Sequence, residues 1–526
     1  MSSPHLTDDC IHNILKYLQN YHSTLFNCLL VNRFWCKETV PLLYADPFED
    51  VMDFMNDKTH KYSIIFTLIL CFDKSEILRF KDQLNKINNK NDININNEPL
   101  FEYPKYIENY YCNTVNNIIF EWFKNYYNIP SNNEIVKKFI PTFHQSNLRY
   151  SFNIKQFGIS LNSFYVINYN IGNFTQNLSK LNSLSLQDIN AFNYLTQEFL
   201  KSVANICLNL KKLEISSITG GISKETKEDL CTIIQNQNKL EAFKISRSEI
   251  LLNNILLSLE SQNHSLVYIE FDGIDFEKIS FKNFINLYNL KYLNFGYCVM
   301  LSIEDCNLLN FTSFKLKELT LTNNDWKDDV TLSIIQYLGE SLQKLDYEGS
   351  LTLQIIEYLS LYCLNLDSLK VKITPLIDSL IFPYFKNLRI NKLILFIYDG
   401  SISDTKFTDK MMANLTENFI PINIKEIFIS LYIHDFHIET FFENYHHNNL
   451  EMINLDVDID SVNFKSILNY IERSNNNLKF LGIKELEREL KDEEMKLLDQ
   501  IKAKGIKLVD LPSIYCESIP IAYHLF

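Results

Sequence analysis

Glycine and proline are scarce in this chain, 11 and 12 residues out of 526, while 46% of the residues are hydrophobic. So little turn and linker chemistry with so much apolar side chain excludes general disorder, because a disordered chain lacks the apolar surface that offsets ordering entropy. Basic residues are also short, 50 against 64 acidic ones, for a net charge of −14. That balance argues against broad nucleic-acid binding, which lysine and arginine drive by displacing counterions from phosphates.

Long apolar runs are missing as well. Ile64 to Phe72, the longest in the first half, is broken by Thr67 and falls far short of the roughly 20 residues of a membrane helix. No membrane contact is expected. The 11 cysteines form no CxxC pair, and without a secretory signal at the N-terminus reduced thiols in cytoplasm or nucleus are expected. Asn-x-Ser/Thr matches such as Asn173-Phe-Thr and Asn310-Phe-Thr then read as chance in an Asn-rich chain.

Catalytic phrases are absent too: no P-loop, GxGxxG after a strand, HExxH or GxSxG. Asp456-x-Asp458-x-Asp460 has the start of a calcium loop, but Ser461 stands where the turning glycine belongs and Ile467 where the bidentate glutamate belongs. His446-His447 has no cysteine at zinc spacing and reads as a solvated turn. Glu485 to Lys504 alternates acids and bases and suits a charged exterior helix. The expectation is a protein that is not an enzyme and has no cofactor and no metal.

At the N-terminus, Thr7, Asp8 and Asp9 precede Ile11, Ile14, Leu15 and Leu18, an apolar helical face opened by a cap and first-turn acids. Ser23 or Thr24 opens a second helix with Leu25, Phe26, Leu29 and Leu30, running into Val31-Asn-Arg-Phe-Trp35, and Cys36 to Leu43 fits a third. Three helices this short cannot bury that much apolar surface among themselves, so part of it is expected to meet a partner.

The stretch resembles the F-box: Leu6 leads, Ile11, Ile14 and Leu18 follow in the first helix, and Val31 stands four residues before Trp35. The family usually has proline after the leading leucine, where this chain has Thr7. The resemblance implies docking on the Skp-type adaptor of Skp-cullin-F-box ubiquitin ligases, and through it on a cullin scaffold. Leu6, Ile11, Ile14, Leu15, Leu18, Leu25, Leu29, Val31 and Trp35 are the candidates for that contact and its supporting core. The bland alternative is that residues 1–45 merely cap the following domain, since apolar helix faces usually serve a core.

From Val51 to Phe152 no short repeat stands out. Ile64 to Phe72, Glu76 to Leu84 and Val115 to Tyr127 carry helical spacing, and the Asn-rich run from Asn85 to Asn97 reads as a loop. Beyond it one phrase recurs, apolar residues at positions one, four and six, as in Leu181-x-x-Leu184-x-Leu186. Its starts are Ile154, Leu181, Leu210, Leu240, Leu266, Leu290, Leu316, Leu342, Leu366, Ile390, Ile424, Leu450, Leu478 and Ile506, at a mean spacing of about 27 residues.

That period is similar to the leucine-rich repeat. Cys207 and Cys363, three before a leading leucine, and Cys298, eight after Leu290, resemble its cysteine-containing subtype. The fold class implied is α/β, a curved leucine-rich-repeat solenoid with a parallel sheet on the concave face and helices on the convex face. It follows a small all-helical F-box (1–45) and a helical connector (46–152), spans 153–511 in about 14 units and ends in a tail (512–526), with an insertion around Gly400 to Thr416.

Strand side chains alternate, so the residues between the leucines face the concavity. They are Tyr268, Glu270, Asp272, Tyr292, Asn294, Glu318, Lys344, Asp346 and Glu348, a largely acidic field, then Lys370, Lys372 and Lys392, then large apolar residues, Ile394, Phe396, Phe428, Met452 and Phe480. Exposed, this last group makes a hot spot for a target protein; the insertion or the tail folded over it makes it core instead. The expected function is a non-catalytic substrate-recognition subunit of a Skp-cullin-F-box ubiquitin ligase, with an unknown target protein. The alternative is a leucine-rich-repeat interaction scaffold with no ligase role.

Overall fold

A computed structural model describes residues 7–19, 21–48, 58–85, 99–163, 177–189, 194–218, 221–248, 252–373, 381–386, 388–398, 420–421, 423–432, 438–445, 449–456, 459–474, 477–484 and 490–510. Leu6, Asn173, the run 86–97, the segment around Gly400 to Thr416, His446, His447, Asp458, residues 485–489 and the tail 512–526 lie outside them. The chain divides into two compact units, Met1–Leu240 with Ser248–Gln262, and Glu241–Arg247 with Asn263–Phe526.

The first unit opens with α1 (Asp8–Tyr17), α2 (His22–Cys28) and α3 (Arg33–Leu43). Thr7 caps α1, its side chain accepting from the Cys10 backbone N–H. The second helix starts at His22 without a side-chain cap, so neither Ser23 nor Thr24 opens it. The third starts three residues earlier than expected, because Asn32 caps it by accepting from the N–H groups of Phe34 and Trp35 at 2.9 and 3.0 Å. That cap takes Trp35 into the helix.

The connector holds α4 (Lys58–Ile69), α5 (Lys74–Asn85), α6 (Cys112–Tyr127) and α7 (Glu134–Tyr150), the last with no counterpart among the helices expected from spacing. Strand β1 (Asn109–Tyr111) precedes α6, and β2 (Gln156–Ser160), β3 (Ser183–Gln187) and β4 (Lys212–Ile218) pair in parallel succession after it. Ile107, Tyr110 and Cys112 are buried at the one, four and six positions, so the array begins one unit before Ile154. The apolar scan misses this unit because its second member is a tyrosine and its third a cysteine.

The second unit carries β5 (Ala242–Ser248, to Arg247), β6 (Tyr268–Asp272), β7 (Tyr292–Gly296), β8 (Glu318–Thr322), β9 (Lys344–Tyr347) and β10 (Ser368–Ile373). They are followed by β11 (Lys392–Tyr398), β12 (Glu426–Tyr432), β13 (Met452–Asp456), β14 (Phe480–Ile483) and β15 (Lys507–Asp510). Neighbours in this order pair in parallel. The architecture is α/β, a repeating strand-and-helix unit with parallel strands, compatible with a repeat solenoid.

Thirteen of the fourteen phrase starts lie two residues before a strand, and their leucines and isoleucines are buried on the helix side. Each such side chain contributes about 1.5–3 kcal/mol when fully buried. The last phrase is one residue out of register: Gly482 pairs with Val509, which puts Val509 on the opposite face from Leu508.

A second device repeats with the leucines. At most strand entrances one carbonyl accepts two N–H groups from the next repeat, as Lys291 does from Lys317 and Glu318 at 2.8 and 3.0 Å. In the first unit the series starts outside the strands, at Ala45 directly after α3, whose carbonyl accepts from Glu108 and Asn109 at 2.8 and 3.0 Å. Buried glutamines close helix ends onto the following repeat. Gln237 accepts from the Leu210 N–H and donates to the Cys207 and Ile233 carbonyls, and Gln262 makes the equivalent bonds to Leu240, Ile234 and Gln237.

Candidate functional site: an apolar helix surface and a charged sheet face

Burial divides the N-terminal candidates into two groups. Ile11, Leu15 and Leu25 form a small core with Cys28, against which Leu18, Trp35, Phe34, Leu42 and Leu43 pack. Leu29 is half-buried. Ile14 and Val31 instead face outward, at 39% and 57% exposure. Four further exposed large side chains lie outside the set of adaptor candidates: Tyr17 (83%), Leu30 (78%), Tyr21 and Phe26, of which spacing reads only Phe26 and Leu30 as helix positions.

The sequence signal for these was present. Ile14 and Tyr17 are three apart on α1, and Phe26 and Leu30 are four apart across the end of α2, so each pair shares a helix face. Ile14, Tyr17, Leu30 and Val31 lie outside the small core that the leucines and Trp35 form.

The sheet face of the second unit is built in rows, because register partners on parallel strands stand side by side. One row runs Tyr268, Tyr292, Glu318, Lys344 from β6 to β9, and the next runs Glu270, Asn294, Thr320, Asp346, Lys370 from β6 to β10. Opposite charges alternate along them. Lys244 lies 3.0 Å from Glu270, Lys344 3.6 Å from Glu318, and Lys392 2.7 Å from Glu426, while Lys370 bridges Asp346 at 3.0 Å and Glu348 at 2.8 Å.

Two acidic candidates are more enclosed than a solvent-facing position implies. Glu270 is buried and accepts the hydroxyl hydrogen of buried Tyr268. Asp346 is only 3% exposed, and burial pushes its carboxyl up to about 6 against the opposing pull of Lys370. Asp272 and Tyr292 are half-buried, and both are raised by desolvation, as is Glu318.

Of the two alternatives for the apolar group from Ile394 to Phe480, exposed or covered, the burial of these residues favours the covered one. Ile394 and Phe428 are each 1% exposed, and Phe396, Met452 and Phe480 are half-buried. Lateral packing is a physical reason: Ile394 and Phe428 are register partners, the Phe396 and Phe428 rings stand 5.9 Å apart, and Met452 and Val509 pack against the pair. Lys370 further covers Phe396, its ammonium 4.9 Å from the ring centroid.

Burial also governs four cysteines of the array. Burial pushes the thiols of Cys207, Cys298, Cys306 and Cys363 up to about 12, which keeps them protonated and weakly nucleophilic. Cys298 donates weakly to the Phe271 and Gly296 carbonyls, and in the next repeat Asn324 accepts from the Cys298 N–H at 2.8 Å. Among the described residues no group of three or more His, Cys, Asp or Glu side chains is placed to hold a metal ion, and no helix is long and apolar enough to cross a membrane.

No protein-family model matches the chain, and no curated protein matches it in sequence. Among solved structures it is similar to the crystal structure of the Rad7 and Elc1 complex in yeast, at 13% identity and a TM-score of 0.29 over 97% of this chain and 98% of that one. A likeness that weak says nothing of family or partner.

Proposed function

We propose that the chain is a non-catalytic substrate-recognition subunit of a Skp-cullin-F-box ubiquitin ligase, working in the cytoplasm or nucleus. In this reading α1 to α3 are the F-box and dock on a Skp-type adaptor, which joins the chain to a cullin scaffold. The strand-and-helix array is a leucine-rich-repeat solenoid, extended by one unit to β1, whose sheet face holds a target protein. Other subunits supply the catalysis. Tethering makes ubiquitin transfer effectively intramolecular, so modest target affinity suffices.

The observation that carries the reading is the outward-facing set of Ile14, Tyr17, Leu30 and Val31 beside the small core of Ile11, Leu15, Leu25 and Cys28. Apolar and aromatic anchors of this kind gain by losing water on docking. The test is co-purification of the intact chain with a Skp-type adaptor. Capture is expected, and it is expected to vanish with Leu30→Asp and Val31→Asp at an unchanged melting temperature. Absence of capture, or capture that survives both changes, overturns the ligase role.

A second reading, an interaction scaffold in which the same helices only cap the array, is favoured by the Ala45 carbonyl and by the bond from Asn109 to Asp46 at 2.7 Å. Both join the end of the helical module to β1. Capping leaves no reason for the outer apolar set, so the two readings part on whether those side chains bind anything.

A further inference from the structure

The helical connector carries a groove of about 840 Å³, lined by α5, by residues just after α4, by the end of α7 and by the segment 99–105. Its floor is apolar: Phe72, Ile77, Leu78, Pro104 and Phe152, of which Leu78 and Phe152 are 61% and 51% exposed. The walls are tied to each other. Arg149 on α7 lies 2.8 Å from Asp73 and 3.3 Å from Glu76, and the Tyr150 hydroxyl donates to Asp73 at 2.9 Å. These bonds hold the start of α5 against the end of α7, so the groove is preformed and binding there carries little ordering cost.

Charge at the rim runs against that of the chain. A protein with 64 acidic and 50 basic residues lines this groove with three lysines, Lys74, Lys81 and Lys105, and one acid, Glu102, which Lys105 holds at 3.2 Å. Lys74 meets no acid within 4 Å among the described residues. It stands in the first turn of α5, where a cation works against the helix dipole, so helix stability does not account for it. Ile77, Leu78 and Lys81 lie three, four and seven residues after Lys74 and share one face of the helix. The two lysine stems are then about 10 Å apart along its axis, with apolar surface between them.

We infer that this groove takes an acidic amphipathic helix of a partner protein, whose apolar anchors enter the floor and whose carboxylates, two turns apart, meet Lys74 and Lys81. A run Glu-x-x-Leu-Leu-x-x-Glu carries those groups at matching intervals on one face. A single-headed amphiphile such as a fatty acid supplies one anion, whereas this face presents two cations separated by apolar surface. The inference goes beyond the adaptor and target-holding roles and is read without either.

The test titrates the full chain, by anisotropy, into a fluorescein-labelled, alanine-rich peptide of about 16 residues with one such run, long enough to hold a helix. One twin carries glutamine for both glutamates, another alanine for both leucines. The parent peptide is expected to bind about fivefold more tightly than the glutamine twin and about fiftyfold more tightly than the alanine twin. Leu78→Gln is expected to weaken it about tenfold at an unchanged melting temperature. Lys74→Glu with Lys81→Glu is expected to reverse the preference, so that the glutamine twin binds better than the parent. Diffuse attraction does not imitate these results, because a chain of net charge −14 repels an acidic peptide.

No binding of the parent, equal binding of parent and glutamine twin, or binding that survives Leu78→Gln overturns the inference. Three results overturn it in favour of another occupant. Binding of dodecanoate but not of the peptide, lost in Leu78→Gln, assigns the groove to a small amphiphile. Self-association in sedimentation, lost in the same variant, assigns it to a second copy of the chain. A lowered melting temperature in Leu78→Gln marks a groove filled by the chain itself.

Discussion

Six residues occupy the same left-handed backbone position, seven after a phrase start: Asp188 and Ser217 in the first unit, Arg247, Gly273, Tyr297 and Asn323 in the second, all with φ between 47° and 60°. Only one of the six is a glycine, as expected of a chain so poor in that residue. At Gly273 an added Cβ meets nothing nearer than the Arg247 Cγ at 3.4 Å, so the backbone alone sets the penalty. Gly273→Ala is therefore expected to cost about 1 kcal/mol in urea unfolding, whereas Tyr297→Gly, which relieves an aromatic residue of the same conformation, costs nothing or stabilises slightly. A neutral Gly273→Ala contradicts this account of the turn. None of these positions was legible in the sequence, because five side chains of different chemistry hide a shared backbone state.

At the scale of elements, α7 shows what spacing alone leaves unread. It places His144 at full burial, with Nε2 2.8 Å from the Asn116 Oδ1 on α6 and Nδ1 2.7 Å from the Tyr110 hydroxyl on β1. The amide oxygen only accepts, so Nε2 carries the proton and Nδ1 accepts from the tyrosine. Burial pushes the His144 imidazole down to about 3 from its ordinary 6.5. Between those values the unfolded chain binds a proton that the folded chain does not, so stability falls as pH drops below about 6.5, by up to about 1.4 kcal/mol per pH unit. Urea unfolding of the first unit at pH 7.5, 6 and 5 is expected to show that slope, and His144→Gln to remove this residue's share while costing about 2 kcal/mol at neutral pH. An unchanged slope in the variant excludes His144 as its source. The polar bridge joins α6, α7 and β1, and two of these three elements were not read from the sequence: β1 because tyrosine and cysteine fill its leucine positions, α7 because its apolar residues are interleaved with the polar groups that bind it to its neighbours.

For the molecule as a whole, period was the most legible property. A leucine phrase recurring about every 27 residues located fourteen of the strands, since each unit must bury the same face against its neighbours. The alternation within a strand also placed the named sheet-face side chains in shared register rows, though it failed at the last phrase, where Val509 lies on the sheet face. It did not tell how far they are covered. Ile394 and Phe428 left solvent because neighbouring strands carry large side chains at the same register, a relation between units that no single repeat contains. The N-terminal candidates were legible as a set but not as core and surface, and the outermost residues, Tyr17 and Leu30, were read only as helix formers or not at all.

The central claim is that the outer apolar side chains of α1 and α2 bind an adaptor instead of merely accompanying the fold. Calorimetric titration of the full chain with a purified Skp-type adaptor tests it most directly, using Ile14→Asp with Leu30→Asp as the surface variant and Leu15→Asp as the core control. The account predicts one-to-one binding with a negative heat-capacity change. It also predicts at least a hundredfold loss, about 2.7 kcal/mol, in the surface variant at an unchanged melting temperature, and a lowered melting temperature only in the core control. No heat of binding, or equal affinity of the wild type and the surface variant, contradicts it.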